Sequence, residues 1–247
     1  MINLKHELLQ DNISLKQAEQ LQAKYSSILK RQELEIEDFF SIKKVNNVVG
    51  VDISYFNQEN EEFGVSCAVL WSILNKKVIH SAFFKDQIKF PYHAGFLGFR
   101  ECNILAQAIA KLPVKPDVIM CDGHGFIHPK RFGEAVHLGL ALNIPSIGIA
   151  KKPFIGHSNW VELKRKKANK VPIFASDPSV MKNSELLGYA ICLNDNMKPV
   201  FISRGYKTTL DLAVDIALKT TSSHRQPEPI YIADQLSRSK VKEFLHP

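Results

Sequence analysis

Apolar positions along this chain fall into short blocks with two distinct spacings. In residues 14–31, Leu15, Ala18, Leu21, Ala23, Tyr25 and Leu29 mark an amphipathic helix. Ser14 precedes it and Gln17 stands three positions later, the arrangement of a capping box. Val48, Val49, Gly50, Val51, Asp52 and Ile53 form an almost wholly apolar run that predicts a buried strand. Residues 65–71 (VSCAVLW) and 78–84 (VIHSAFF) follow, with Asn75-Lys76-Lys77 between them. Three such segments with short connections predict an antiparallel meander.

The spacing then turns helical from about Phe96 to Lys111, and Pro113 closes that segment. Residues 117–121 (DVIMC) predict a strand, Arg131 to Leu142 a helix, and 145–150 (PSIGIA) a short strand. Residues 186–193 and 199–203 predict a hairpin around Asp195-Asn196, and Thr208 to Lys219 and Glu228 to Leu245 the last helices. A strand meander followed by β-α-β units predicts an α/β fold: a mixed sheet with helices on both faces. That is the plan of ribonuclease H-like folds. The length suits one domain over residues 1–247, with the helix at 14–31 ahead of a core from about 45 to 247.

Composition narrows the setting. A net charge of +7 favours a polyanionic partner without requiring one. No apolar run approaches the ~18–20 residues of a membrane span, so no membrane association is expected. Cys67, Cys102, Cys121 and Cys192 are far apart and form no CxxC pair, which argues against zinc. Each lies in an apolar stretch, as buried thiols in a reducing compartment do. With no signal core or transit pattern at the N-terminus, the expected location is the cytoplasm.

Two aspartates stand where an ionised group is costly. Asp52 lies within an apolar strand, and Asp122 ends one and opens the turn Gly123-His124-Gly125. One such residue is ordinarily a satisfied structural Asp; two at the ends of neighbouring strands can converge on one point. Glu101 lies early in a helix and Asp234 in the final helix, inside an apolar patch. An Asp/Glu set without paired His or Cys points to Mg²⁺, or Mn²⁺ in its place, rather than Zn²⁺. In 121–131 (CDGHGFIHPKR), Gly123 and Gly125 allow close backbone approach to a ligand, and His128, Lys130 and Arg131 are donors suited to phosphate. Lys151 ends a strand, either as part of an exposed lysine pair or in contact with a scissile phosphate. Tyr92, between Pro91 and Gly95, is either a packed aromatic or a wedge for a base stack. The run Lys164-Arg165-Lys166-Lys167 reads as a solvated basic loop.

Taken in order, GVDISY, FPYHAGFLGFRE, DGHGFIHPKRFG, IPSIGIAKK, and PEP followed by an Ala-Asp in the last helix resemble the endonuclease V family over about residues 15 to 245. The resemblance implies a ribonuclease H-like fold. It also implies hydrolysis of the second phosphodiester bond 3′ to deoxyinosine in DNA, or to inosine in RNA in some members, leaving 3′-hydroxyl and 5′-phosphate ends. The expected partner is DNA or RNA containing inosine, with no obligate protein partner. By the same resemblance Asp52, Glu101 and Asp122 hold the metal, Asp234 stands in its outer environment, and Lys151 is the active-site lysine. Tyr92 corresponds to the wedge, and Gly95, Gly123, Gly125 and His128 to residues lining the base pocket or strand path. Two segments depart from the family: a Pro-Tyr-Ile-Pro wedge reads Pro91-Tyr92-His93-Ala94 here, and a Ser-Pro-Gly-His loop reads Ser203-Arg204-Gly205-Tyr206. Another ribonuclease H-like nuclease such as a junction resolvase would share the acids but not the wedge or the DGHG turn. A silent inosine-binding protein would keep the pocket and lose a metal carboxylate.

Overall fold

The computed structural model describes residues 2–32 and 42–245. Helix α1 (Leu15–Gln32) begins at the expected capping box: Ser14 N donates to Gln17 Oε1 at 2.8 Å, and Gln17 N donates back to Ser14 Oγ at 3.3 Å. The meander is β1 (Asn47–Gln58), β2 (Glu61–Ser72) and β3 (Lys77–Gln87). β1 and β2 run well past the apolar segments that announce them. Glu59 and Asn60 between them both have positive φ, 53° and 66°. That is the conformation of a two-residue hairpin turn whose twist matches its strands, so pairing continues to the tip.

Helix α2 (Leu97–Ala110), β4 (Val118–Cys121), α3 (Glu134–Leu142) and β5 (Ser146–Ala150) follow. β6 (Lys170–Phe174), β7 (Leu186–Ile191) and β8 (Val200–Arg204) precede α4 (Leu210–Lys219) and α5 (Glu228–Leu245). α3 starts three residues later than the apolar spacing predicts. Arg131 has a left-handed φ of 54° and cannot open a helix. β6 was not anticipated: it is only five residues long and carries Pro172, and it occupies the edge of the sheet, where a missing N–H is tolerated.

The eight strands form one sheet in the order β3-β2-β1-β4-β5-β8-β7-β6. β4 pairs in parallel with β1 and β5, and the other pairings are antiparallel. The mixed sheet with helices on both faces is therefore as the sequence predicts. Strand alternation divides the core in two. Val49, Val51, Ile119 and Cys121 pack with α2 and α3 residues such as Phe99, Leu105 and Leu138. Val48, Val118 and Met120 pack with α4 and α5 residues such as Leu212, Ile216 and Ile230. All four cysteines are free and buried. No helix among the described residues is long and apolar enough to cross a membrane.

Candidate active site

The same alternation decides where each acid points. Odd positions of β1 face α2, and the Tyr55 hydroxyl donates to Glu101 there. Even positions face α5, where Ser54 Oγ lies 2.8 Å from Ser237 Oγ. Asp52 therefore belongs to the α5 side, and an open groove there is lined by Asp52, Tyr55, Lys151 and Asp234. Glu101 belongs to the α2 side. Asp122 follows the last residue of β4, and the register Val51↔Cys121 sets it level with Asp52. At that strand tip the two sides of the sheet meet.

The charges register this arrangement. Burial first, then the negative charges of Asp122 and Asp234, push the Asp52 carboxyl up from 3.8 to about 8. Burial pushes Glu101 up as well, against hydrogen bonds from Tyr55 and Glu134. Lys151 Nζ lies 2.5 Å from Asp122 Oδ2, and Gln226 Nε2 donates to Asp122 Oδ1 at 2.9 Å. Asp234 is held on its own helix by Arg238 Nε at 2.8 Å. The structure thus brings Asp52, Asp122, Asp234 and Lys151 together and sets Glu101 behind them, on the far side of the β4 tip. Among the described residues no three His, Cys, Asp or Glu side chains form a ready metal cage. The carboxylates border one place rather than converging on one point. Their oxygen-only donors and crowded negative charge suit a hard divalent cation.

Three residues of this centre escape the sequence reading: Tyr55, Gln226 and Glu134. Glu134 opens α3 and is 6% exposed. It hydrogen-bonds Glu101, and one of its carboxylate oxygens is buried without a partner. Burial, then the charge of Glu101, pushes its carboxyl well up.

The raised Asp52 gives a stability prediction. In the unfolded chain Asp52 ionises near 3.8, so between that pH and about 8 the folded, metal-free protein holds the extra proton. Its stability therefore falls as pH rises through this window. Asp52→Asn removes the charge and should stabilise the metal-free protein at pH 8 by at least about 1 kcal/mol, about 3 °C in Tm. Thermal melts from pH 5 to 8 should show a flatter slope for Asp52→Asn; parallel slopes would refute the placement of Asp52 among like charges.

Beside this centre lies a pocket of 480 Å³, lined by Tyr92, Gly95, Gly123, His128, Glu134 and Phe154 among others. Tyr92 is 69% exposed, which discards the packed-aromatic reading. The segment behind it is pinned. The Gly95 carbonyl accepts from Gln22 Nε2 of α1 at 2.8 Å and lies 3.1 Å from His128 Nε2. Gly95 has φ of 86°, which other residues adopt only with strain. His128 is buried, and burial pulls its pKa down to about 4, so it is a neutral wall of the pocket. Arg131 grips Glu185 through Nε and NH2 at 3.1 and 2.7 Å. Two of the three expected phosphate donors are thus engaged within the fold, and Lys130 is exposed. Gly123 and Gly125 likewise make room for protein rather than ligand: a Cβ would lie 2.1 Å from Glu134 Oε2 and 2.0 Å from the Arg204 carbonyl. In the departing 203–206 segment, the Arg204 guanidinium stacks over Phe126 at 4.0 Å, and Tyr206 donates to Asn143 at 3.1 Å.

A family model described as Endonuclease V matches residues 29–235. The endonuclease V of Nostoc sp. is 37% identical over 210 residues, 85% of this chain and 90% of that protein. That of Kosmotoga olearia is 36% identical over 236 residues, 95% of each chain. Among solved structures, Ciona intestinalis endonuclease V in complex with a 24-mer DNA containing an inosine followed by a ribo-adenosine is 30% identical, with a TM-score of 0.74. That match covers 92% of this chain and 99% of the other. A nuclease-like acidic centre beside an open pocket, on a fold shared nearly end to end with these relatives, agrees with the family match over most of the sequence: this chain belongs to the endonuclease V family and is an endonuclease.

Proposed function

We propose that this enzyme cuts the second phosphodiester bond 3′ to inosine in DNA or RNA, leaving 3′-hydroxyl and 5′-phosphate ends, with Mg²⁺ or Mn²⁺ as cofactor. The observation that carries the reading is the meeting of Asp52, Asp122 and Lys151 at one strand tip beside a pocket whose rim bears an exposed tyrosine. Asp52, Asp122 and Glu101 would hold the ion, with Asp234 outside them. When bound, it would supply Lewis-acid stabilisation of the phosphate and a more acidic water.

The chain's own residues do the rest. Lys151 places a positive charge beside Asp122, where the scissile phosphate must come, and can stabilise charge that grows on its oxygens. Tyr55 and Glu134 orient Glu101. Tyr92 enters the base stack and favours extrusion of the inosine. The pocket receives the extruded base against Phe154, with His124 and His128 behind that ring at centroid distances of 6.0 and 5.4 Å. Burial holds both histidines neutral, with pKa values of about 4, so they present uncharged rings to the base. The four buried thiols suit a reducing compartment such as the cytoplasm.

The test uses matched single-stranded and duplex DNA and RNA, each with one inosine, and maps the cut. One cut at the second bond 3′ to inosine is expected, and none in adenosine controls. Cleavage indifferent to inosine would overturn the reading.

A further inference from the structure

On the other side of the Lys151-Lys152-Pro153 segment from the base pocket lies a second cavity, of 440 Å³. Its wall carries Lys151, Lys152, Arg165, Lys198 and Arg225, and no carboxylate. These cations come from four separate stretches of chain: the turn after β5, the basic loop before β6, the β7–β8 turn and the loop before α5. They are not merely free surface lysines gathered by chance of exposure, because the backbone beneath them is fixed. Asn196 N donates to the Arg165 carbonyl at 2.7 Å, and Lys167 N to Asp195 Oδ1 at 2.7 Å, which ties the basic loop to the β7–β8 turn. Arg225 NH2 donates to the carbonyls of Lys151 and Pro199 at 2.6 and 2.7 Å, which ties the catalytic lysine's backbone to the same wall. Arg225 Nε is buried and without a partner. The floor is apolar, with Trp160 edge-on to Phe201 at 5.2 Å.

Lys151 already pairs with Asp122; the other cations, with no carboxylate on the cavity wall, repel one another unless an anion enters between them. We propose that this cavity is a subsite for backbone phosphates of the strand 3′ to the scissile bond. The assignment rests on the proposed function, and its direction follows from the layout. The base pocket and this cavity share the wall that carries Lys151. With inosine in the first and the scissile phosphate at Asp122 and Lys151, the chain that continues past Lys151 is the 3′ arm. The other way out, along α5, presents Asp52 and Asp234 together with Arg238, which is paired to Asp234, and Lys242. A phosphodiester chain is drawn to the side that carries cations alone. The basic run at 164–167 then contributes Arg165 to substrate binding, while the rest of it is solvated.

The experiment compares the wild-type enzyme with an Arg165→Ala/Lys198→Ala double variant; neither residue touches the catalytic centre. Two single-stranded inosine substrates are used, one ending a single nucleotide beyond the cut and one extending about eight nucleotides further, within the span of a strand-binding groove. The readout is the enzyme concentration that half-saturates single-turnover cleavage, measured across a salt series. For the long-arm substrate the double variant should need about tenfold more enzyme, and its log–log salt slope should be shallower by about 1.4, or about 0.7 for each lost phosphate contact. On the short-arm substrate the two proteins should coincide, which also establishes that the variant is folded and catalytically intact. Dependence on the arm separates strand phosphates from free phosphate in solution. Equal weakening on both substrates, or none on either, overturns the subsite. If the wild-type enzyme makes no inosine-directed cut on either substrate, the proposed function falls and the subsite with it.

Discussion

Asp52→Ala and Asp122→Ala should each lower the cleavage rate at inosine by at least about a thousandfold while leaving binding largely intact; a metal ion's stabilisation of phosphate charge is worth about 4 kcal/mol or more, and each 1.36 kcal/mol is tenfold in rate. The two residues occupy level positions on neighbouring parallel strands, and each already feels the other's charge. Neither anchors the core, since Asp52 is partly exposed to the α5 groove and Asp122 follows its strand. Losing either carboxylate removes negative charge from a centre that carries too much of it. Substrate binding should therefore hold or improve, and only the chemistry should fail. The same logic predicts that excess EDTA silences the wild-type enzyme and that Mg²⁺ or Mn²⁺ restores it without added zinc. Single-turnover cleavage and equilibrium binding, with Ca²⁺ or without metal, separate the two effects. Cleavage within tenfold of wild type in either variant, or full activity in EDTA, would remove these residues from the metal's ligand set.

How legible this centre was in the sequence depends on how each residue departs from its surroundings. Asp52 and Asp122 stood out because an ionised group in an apolar strand has no cheap structural explanation. Glu101 did not stand out by pattern; an acid one turn into a helix is ordinary, and only the resemblance to a family motif singled it out. Glu134 was passed over for the same reason, because an acid in a first helical turn is favoured by the helix dipole alone. Its burial against Glu101 is a product of how α2 and α3 pack and has no local signal. Tyr55 lies beyond the apolar run 48–53 that announces β1, and the extension of β1 to Gln58 depends on a turn, Glu59-Asn60, lacking the glycine that usually marks it. The meander, the α/β units and the final helices were legible because their periodicities are long and unbroken. β6 was not, because it is only five residues long and its Pro172 argues against a strand anywhere but at the edge of a sheet. The cationic cavity is the extreme case. Of its basic groups only the Lys151-Lys152 pair and the 164–167 run stand together in the sequence, and three of the last four residues lie outside the cavity.

Tyr92→Ala should raise the enzyme concentration that half-saturates cleavage of duplex inosine DNA by about tenfold to a hundredfold, the equivalent of one aromatic stacking contact of ~1–3 kcal/mol. An inosine in a duplex is paired and stacked, so an enzyme that reads it must extract it, at a cost of a few kcal/mol. An inserted ring offsets part of that cost by filling the vacated step. Tyr92 is placed for this role by three features. The residue is 69% exposed on the rim of the base pocket. Pro91 fixes the chain on one side of it. On the other side, Gly95 is anchored from α1 by Gln22 and lies against the buried His128. His93 packs edge-on to Phe90 at 5.8 Å, which lends the turn some of the stiffness a second proline would give. Because the ring face carries the effect, Tyr92→Phe should stay within about threefold of wild type, the hydroxyl being worth about 0.5 kcal/mol. The penalty should also shrink on single-stranded substrates, where less stacking has to be undone. The chemistry is untouched, so saturating enzyme should restore the Tyr92→Ala rate, which no amount of enzyme can do for Asp52→Ala or Asp122→Ala. A Tyr92→Ala enzyme titration that overlays wild type on the duplex, or a plateau rate that falls with it, would show that this ring does not open the stack.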